Sequence, residues 1–243
     1  MKKIFAANWK LNKTPLESKS FCEELLQKLD SQFFENSEVF IFPQNYSVGI
    51  TSQTLKGSKI KVGPQNIHFE TKGAFTGENS AEIAKYFGCE LVLLGHSERR
   101  QYFGENSEGL NKKIRLTQAL DMFPVFCIGE TLVERQNEQT ENVCFNQLES
   151  AFDQVDRLKR IVIAYEPVWA IGTGQVATIA QVAQIHKSLF NKMNDLGFKS
   201  FQILYGGSVK PDNAKELLAV PYVDGFLIGG ASLEVDSFVK ICL

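Results

Sequence analysis

Three side chains of unlike chemistry stand just after short apolar runs of this 243-residue chain. Lys10 follows Ile4–Ala7, His96 follows Leu91–Leu94 and Glu166 follows Ile161–Tyr165. A carboxylate can take a proton, an imidazole can donate a hydrogen bond to an oxygen gaining charge, and an ammonium can stabilise that same oxygen. The three together suit general acid–base chemistry at a centre where negative charge develops on oxygen. Asn8 adds a polar group beside Lys10. Gly206-Gly207-Ser208 and Gly229-Gly230 follow two further apolar runs. Such turns expose backbone N–H groups with no Cβ in the way, and the Ser hydroxyl adds a donor, so they suit a phosphate. Taken singly, each residue has a plain reading: a solvated surface lysine, a structural histidine, a glutamate opening a turn before Pro167, ordinary turn glycines. Their shared position argues for a site, because α/β proteins bind ligands at the carboxyl ends of strands.

The elements that must position these groups are eight apolar runs: Ile4–Ala7, Val39–Phe42, Ile60–Val62, Leu91–Leu94, Val125–Ile128, Ile161–Tyr165, Phe201–Tyr205 and Gly225–Ile228. Several are apolar on both faces, as parallel strands covered by helices require. The segments between them carry helix signals. Thr14-Pro15-Leu16-Glu17 is a capping box with proline at the first turn, and Asn79-Ser80-Ala81-Glu82 repeats the logic with Asn79 as cap. Ile179, Val182, His186, Leu189, Phe190, Met193 and Leu196 recur at helical spacing, and Gly197 stops that helix. Val143, Leu148 and Phe152 mark another helix before Ile161. Alternation of strand and helix gives an α/β fold. Eight strands suit a closed barrel, although an open doubly wound sheet has the same count.

Composition narrows the function classes. Apolar residues make up 44% of the chain, enough for a large core, and no linker or composition shift divides it. The 26 basic and 28 acidic residues leave a net charge of −2, which gives no electrostatic case for nucleic acid or an anionic membrane as partner. No stretch approaches the length of a membrane span, and Ile4–Ala7 is too short for a signal peptide. Cys22, Cys89, Cys127, Cys144 and Cys242 are odd in number, widely spaced and without zinc-ligand pattern. They read as free thiols of a cytoplasmic protein.

Two segments compete for other readings. Gly172-Thr173-Gly174-Gln175-Val176-Ala177 has the GxGxxA form of a dinucleotide fingerprint, with Asp195 further on. Its first glycine should directly follow a strand, yet Glu166–Ile171 intervene, so no dinucleotide cofactor is expected. Gln65–Glu78 is a long loop carrying Phe69 and Phe75. Long loops in compact domains usually do something: this one either folds back on its own barrel or docks into a neighbouring subunit.

These residues also carry a family resemblance. Asn8-Trp9-Lys10, Gly73-Ala74-Phe75-Thr76-Gly77-Glu78, Gly95-His96-Ser97-Glu98-Arg99-Arg100, Cys127-Ile128-Gly129-Glu130-Thr131, Ala164 through Gly174, Tyr205-Gly206-Gly207-Ser208-Val209 and Gly225 through Ala231 resemble, in order, the motifs of the triosephosphate isomerase family. The resemblance implies a single-domain (β/α)8 TIM barrel over residues 1–243. It also implies interconversion of dihydroxyacetone phosphate and glyceraldehyde 3-phosphate, a step of glycolysis and gluconeogenesis, with neither metal nor cofactor. Glu166 would be the base, His96 a neutral electrophile and Lys10 the electrostatic stabiliser. Asn8 would help hold the oxyanion end, and Gly172, Ser208, Gly229 and Gly230 the phosphate. Glu98 would orient Lys10 or the neighbouring loops, with Cys127 and Glu130 supporting the site from behind. Pro167–Ala177 would be a lid. The resemblance further implies a homodimer through the Gln65–Glu78 loop, with Thr76 near the partner's active site. Leu11, Lys13 and Gln175-Val176 depart from the commoner family residues. They bear on the interface and the lid, not on the reacting groups.

Overall fold

The computed structural model describes residues 1–172 and 175–243. Eight parallel strands run β1 (Lys3–Asn8), β2 (Ser37–Phe42), β3 (Lys61–Val62), β4 (Leu91–Leu94), β5 (Phe123–Ile128), β6 (Ile161–Tyr165), β7 (Phe201–Tyr205) and β8 (Gly225–Ile228). Each of the eight apolar runs is therefore a strand. Their ladder order is β3-β2-β1-β8-β7-β6-β5-β4. The two ends of that order meet: Glu90 N–H donates to the Val62 carbonyl at 3.3 Å and Leu93 N–H to the Pro64 carbonyl at 3.0 Å. The sheet thus closes into a (β/α)8 barrel, and the open doubly wound alternative is excluded. Gly63 makes the closure possible, since a Cβ there would lie 2.2 Å from the Leu91 carbonyl oxygen.

Strand alternation sorts the apolar side chains into two layers. Ile4, Ala6, Phe40, Leu93, Val125, Cys127, Val162, Ala164, Leu204 and Leu227 fill the barrel interior. Their neighbours in sequence, such as Phe5, Ile41, Phe126, Ile163 and Ile203, pack outward beneath the helices. This parity sets up the site. Asn8 continues the inward series of Ile4 and Ala6, and Glu166 continues that of Val162 and Ala164.

The helix signals are mostly realised. Thr14 and Glu17 form a reciprocal capping box on helix Pro15–Lys28. Helix Ile179–Asp195 buries Val182, His186, Leu189 and Met193, and Gly197 follows its end at φ +83°. One cap differs from expectation. Helix Ala81–Tyr86 is capped by Ser80, whose Oγ accepts from Ile83 N–H, and not by Asn79. The Asn79 carbonyl accepts from His68 N–H at 2.8 Å, which holds that residue in the neck of the Gln65–Glu78 loop.

His186 stands behind the sixth and seventh strands, fully buried between Tyr165 and Tyr205. Its Nδ1–H donates to the Tyr222 carbonyl at 3.1 Å, while Nε2 has no partner among the described residues. Protonating Nε2 would bury a donor with no acceptor, and burial pushes the His186 pKa down from 6.5 to about 4. The unfolded chain then binds the proton more readily. His186 therefore contributes stability that is intact above about pH 6.5 and is lost as the pH falls towards 4. The loss should reach about 3 kcal/mol by pH 4. Denaturant unfolding of the parent and of His186→Gln across this range is the check: equal acid slopes in the two proteins would contradict the assignment.

Candidate active site

The eight residues singled out above line one cavity of about 280 Å³ at the carboxyl ends of the strands: Asn8, Lys10, His96, Glu166, Gly172, Ser208, Gly229 and Gly230. They come from five strand ends and the segment after β6, and the barrel brings them together from opposite ends of the sequence.

Glu166 is 2% exposed and caps the inward face of β6. Its main chain is fixed by the N–H bond to the Ile128 carbonyl at 2.7 Å. Gly129 permits this approach, because a Cβ there would lie 1.8 Å from the Glu166 carbonyl oxygen. The two carboxylate oxygens have separate partners. Oε2 accepts from Ser97 N–H at 3.1 Å, and Oε1 lies 3.1 Å from His96 Nε2. Cys127 sits beneath the carboxylate; burial, reinforced by the Glu166 charge, pushes its thiol well above the usual range.

His96 is the N-cap of helix Ser97–Phe103, and its Nδ1 accepts from Glu98 N–H at 3.2 Å. An acceptor nitrogen carries no proton. The hydrogen-bond network therefore assigns the neutral tautomer with hydrogen on Nε2, pointing at Glu166. Glu98 Oε2, 3.6 Å from Nδ1, is too far to compete as a hydrogen-bond partner. Arg100 steadies the base of this helix by donating to the Gly95 carbonyl at 2.9 Å and the Cys127 carbonyl at 3.1 Å.

Lys10 adopts a left-handed backbone at φ +52°. For a residue with a Cβ this costs about 1–3 kcal/mol, and such strain persists only where neighbours impose it. Two contacts on its backbone do so, one of them from a side chain that is itself anchored on Phe42. Lys10 N–H donates to Asn8 Oδ1 at 3.1 Å, and Gln65 Nε2 donates to the Lys10 carbonyl at 2.8 Å and the Phe42 carbonyl at 2.9 Å. The ammonium pairs with Glu98 Oε1 at 2.5 Å. Gln65 was visible in the sequence only as the first residue of a loop. Nothing in its type or spacing marks it as the clamp on Lys10, because the contact spans 55 residues.

Glu130 is fully buried behind the cavity and collects Tyr165 Oη at 3.0 Å, Trp169 Nε1 at 3.0 Å and Arg135 Nη1 at 3.1 Å. The Ser208 hydroxyl donates to the Ala170 carbonyl at 2.7 Å. The near end of the expected lid, a short turn over Val168–Ala170, is thus tied to two sides of the barrel rim. Gly172 follows it, exposed and at φ +67°. Thr173 and Gly174 of that segment lie outside the described residues. Among the described residues no three His, Cys, Asp or Glu side chains are grouped as metal ligands, and no helix is long and apolar enough to cross a membrane.

The arrangement holds a carboxylate, a neutral N–H donor and an ammonium around one small space lined also by two glycine turns, with Gly229 beside the Lys10 side chain. Comparison with known proteins leads to the same place. The chain is 50% identical over 241 residues to a triosephosphate isomerase of Bdellovibrio bacteriovorus, with 99% of each chain covered. It is 43% identical over 246 residues to one of Alkaliphilus metalliredigens, covering 99% of this chain and 98% of the relative. It is 41% identical over 245 residues to one of Aquifex aeolicus, with the same coverage. The family model for triosephosphate isomerase matches residues 3–243, and the chain belongs to the triosephosphate isomerase family.

Proposed function

We propose that this cavity interconverts dihydroxyacetone phosphate and glyceraldehyde 3-phosphate by proton transfer through an enediolate, with Glu166 as base. The observation that carries the reading is the contact between Glu166 Oε1 and His96 Nε2 at 3.1 Å, inside a cavity that also holds Lys10. A substrate oxygen entering this space replaces Glu166 as the acceptor of the His96 N–H and frees the carboxylate to take the carbon-bound proton. Lys10 and Asn8 face the same oxygens, so the charge that leaves carbon meets fixed donors. Gly172, Ser208, Gly229 and Gly230 bind the phosphate. Pro167–Ala177 close over it as a lid, excluding water from the intermediate. The test is the purified protein with dihydroxyacetone phosphate in D2O, followed by NMR. Glyceraldehyde 3-phosphate carrying deuterium at C2 is expected, and absence of turnover overturns the reading.

The reading extends to the assembly. Leu11 and Tyr46 are each 88% exposed, and Phe75, Tyr86, Tyr102 and Phe103 also present apolar surface to water. Exposed apolar groups of this size commonly mark an interface. Within the Gln65–Glu78 loop, Phe69 and Phe75 both pack on His68, and residues 72–78 are exposed. Beside the active site a second cavity of about 220 Å³ reaches Lys10, Gln65, Glu98 and Phe103. A homodimer in which the Gln65–Glu78 loop of each subunit fills this cavity of the other accounts for both features and puts Thr76 near the partner's Lys10. Sedimentation at micromolar concentration should give a dimer, and a single monomeric species would sink the claim. All five cysteines are buried free thiols, which suits a reducing, cytoplasmic setting.

A further inference from the structure

We propose that Lys210, whose main chain Asn213 fixes at the cavity rim, acts as an auxiliary electrostatic capture group for the phosphate dianion. The inference rests on the assignment of the Ser208 side of the cavity as the phosphate end. Lys210 lines that cavity and is exposed. The charged side chains otherwise lining it are Lys10 and Glu166, one of each sign, and Lys10 is further paired with Glu98 at 2.5 Å. Without Lys210 the cavity would therefore offer no net positive charge to an incoming dianion, on a chain whose own net charge is −2. Among the described residues Lys210 makes no ion pair, so its field is not cancelled by a neighbour.

Its position is built, not incidental. Asn213, in helix Pro211–Leu218, accepts from Lys210 N–H through Oδ1 at 2.8 Å, and its own N–H reaches the Lys210 carbonyl at 3.2 Å. The Asn213 Nδ2 donates to the Ser208 carbonyl at 3.2 Å. Asn213 thus fixes the main chain of both the hydroxyl-bearing residue of the glycine turn and Lys210 two residues on. An exposed charge at this place raises the local concentration of an anion and the rate of productive encounter, without entering the chemical step.

The experiment is steady-state kinetics of Lys210→Gln and Lys210→Arg against ionic strength. At about 10 mM salt, where the Debye length is about 30 Å, kcat/KM for Lys210→Gln should fall about five-fold. The gap should close by about 0.5 M salt. The kcat should not move, Lys210→Arg should match the parent, and glyceraldehyde, which lacks phosphate, should show no difference. No loss at low salt overturns the proposal. So does a loss that persists at high salt or extends to glyceraldehyde, since that would show a disturbed turn and not a missing charge. Ser208→Asp tests the underlying assignment separately: it should abolish turnover of the phosphorylated substrate, and parent-like kcat/KM would show that the phosphate lies elsewhere, whatever Lys210 does.

Discussion

Glu166→Gln should lower turnover by about 10²–10⁴-fold or more while leaving triose phosphate binding in place, the range expected when a positioned general base is lost. The two contacts of the carboxylate make the substitution more than the loss of a basic oxygen. Oε1 faces the His96 Nε2–H and Oε2 faces the Ser97 N–H. An amide has one acceptor oxygen, so one of these donors would meet the amide NH2 instead. Glu166→Asp separates basicity from placement: it keeps the carboxylate but shortens the side chain by one methylene. A misplacement of about 1 Å at a reacting group can cost roughly 10²-fold, so Asp should also be slow, though less so than Gln. Purified variants compared by kcat, with phosphate-inhibitor binding as the control for the intact cavity, provide the measurement. Near-normal turnover in Glu166→Gln would reject Glu166 as the base.

His96→Gln should slow catalysis by about 10²-fold, with little effect on the phosphate end. A donor aimed at a developing oxyanion is worth about 3 kcal/mol in comparable sites. The donor here is defined by what sits on the other side of the ring: Nδ1 accepts from Glu98 N–H, so the proton is on Nε2. A neutral donor can stabilise the enediolate without handing over a full proton too early. NMR of ring-labelled protein at pH 7 should show an Nδ1 without hydrogen and an Nε2 with it. An imidazolium signal in the resting protein would break the neutral-donor assignment even if the variant were slow. The kinetic and spectroscopic results therefore test different parts of the same idea.

The sequence by itself determined the strands and most of the helix ends, because the physics that sets them is short-range. Leu91–Leu94, Ile161–Tyr165, Phe201–Tyr205 and Gly225–Ile228 are strands residue for residue as the apolar runs mark them. Thr14 with Glu17 caps its helix through atoms three residues apart. It also placed Lys10, His96 and Glu166 at strand ends, where family motifs and the α/β rule for ligand sites point alike. What it left open depended on contacts between distant segments. Closure of the sheet rests on the Glu90 and Leu93 N–H groups meeting Val62 and Pro64, and an apolar count cannot tell that from an open edge. The cap at Ser80 instead of Asn79 follows from His68, which draws on the Asn79 carbonyl from across the loop. Gln65 became a clamp on a strained lysine, and Asn213 a brace on Ser208 and Lys210, only once the barrel had set their neighbours. The tautomer of His96 was likewise decided by tertiary structure, since Nε2 meets a carboxylate 70 residues away in sequence and Nδ1 a backbone N–H that points at it only when the helix has formed. Residue type and spacing fix which chemistry a chain can attempt; the closed barrel fixes the distances and hydrogen-bond directions, because those belong to pairs of residues that sequence alone does not bring together.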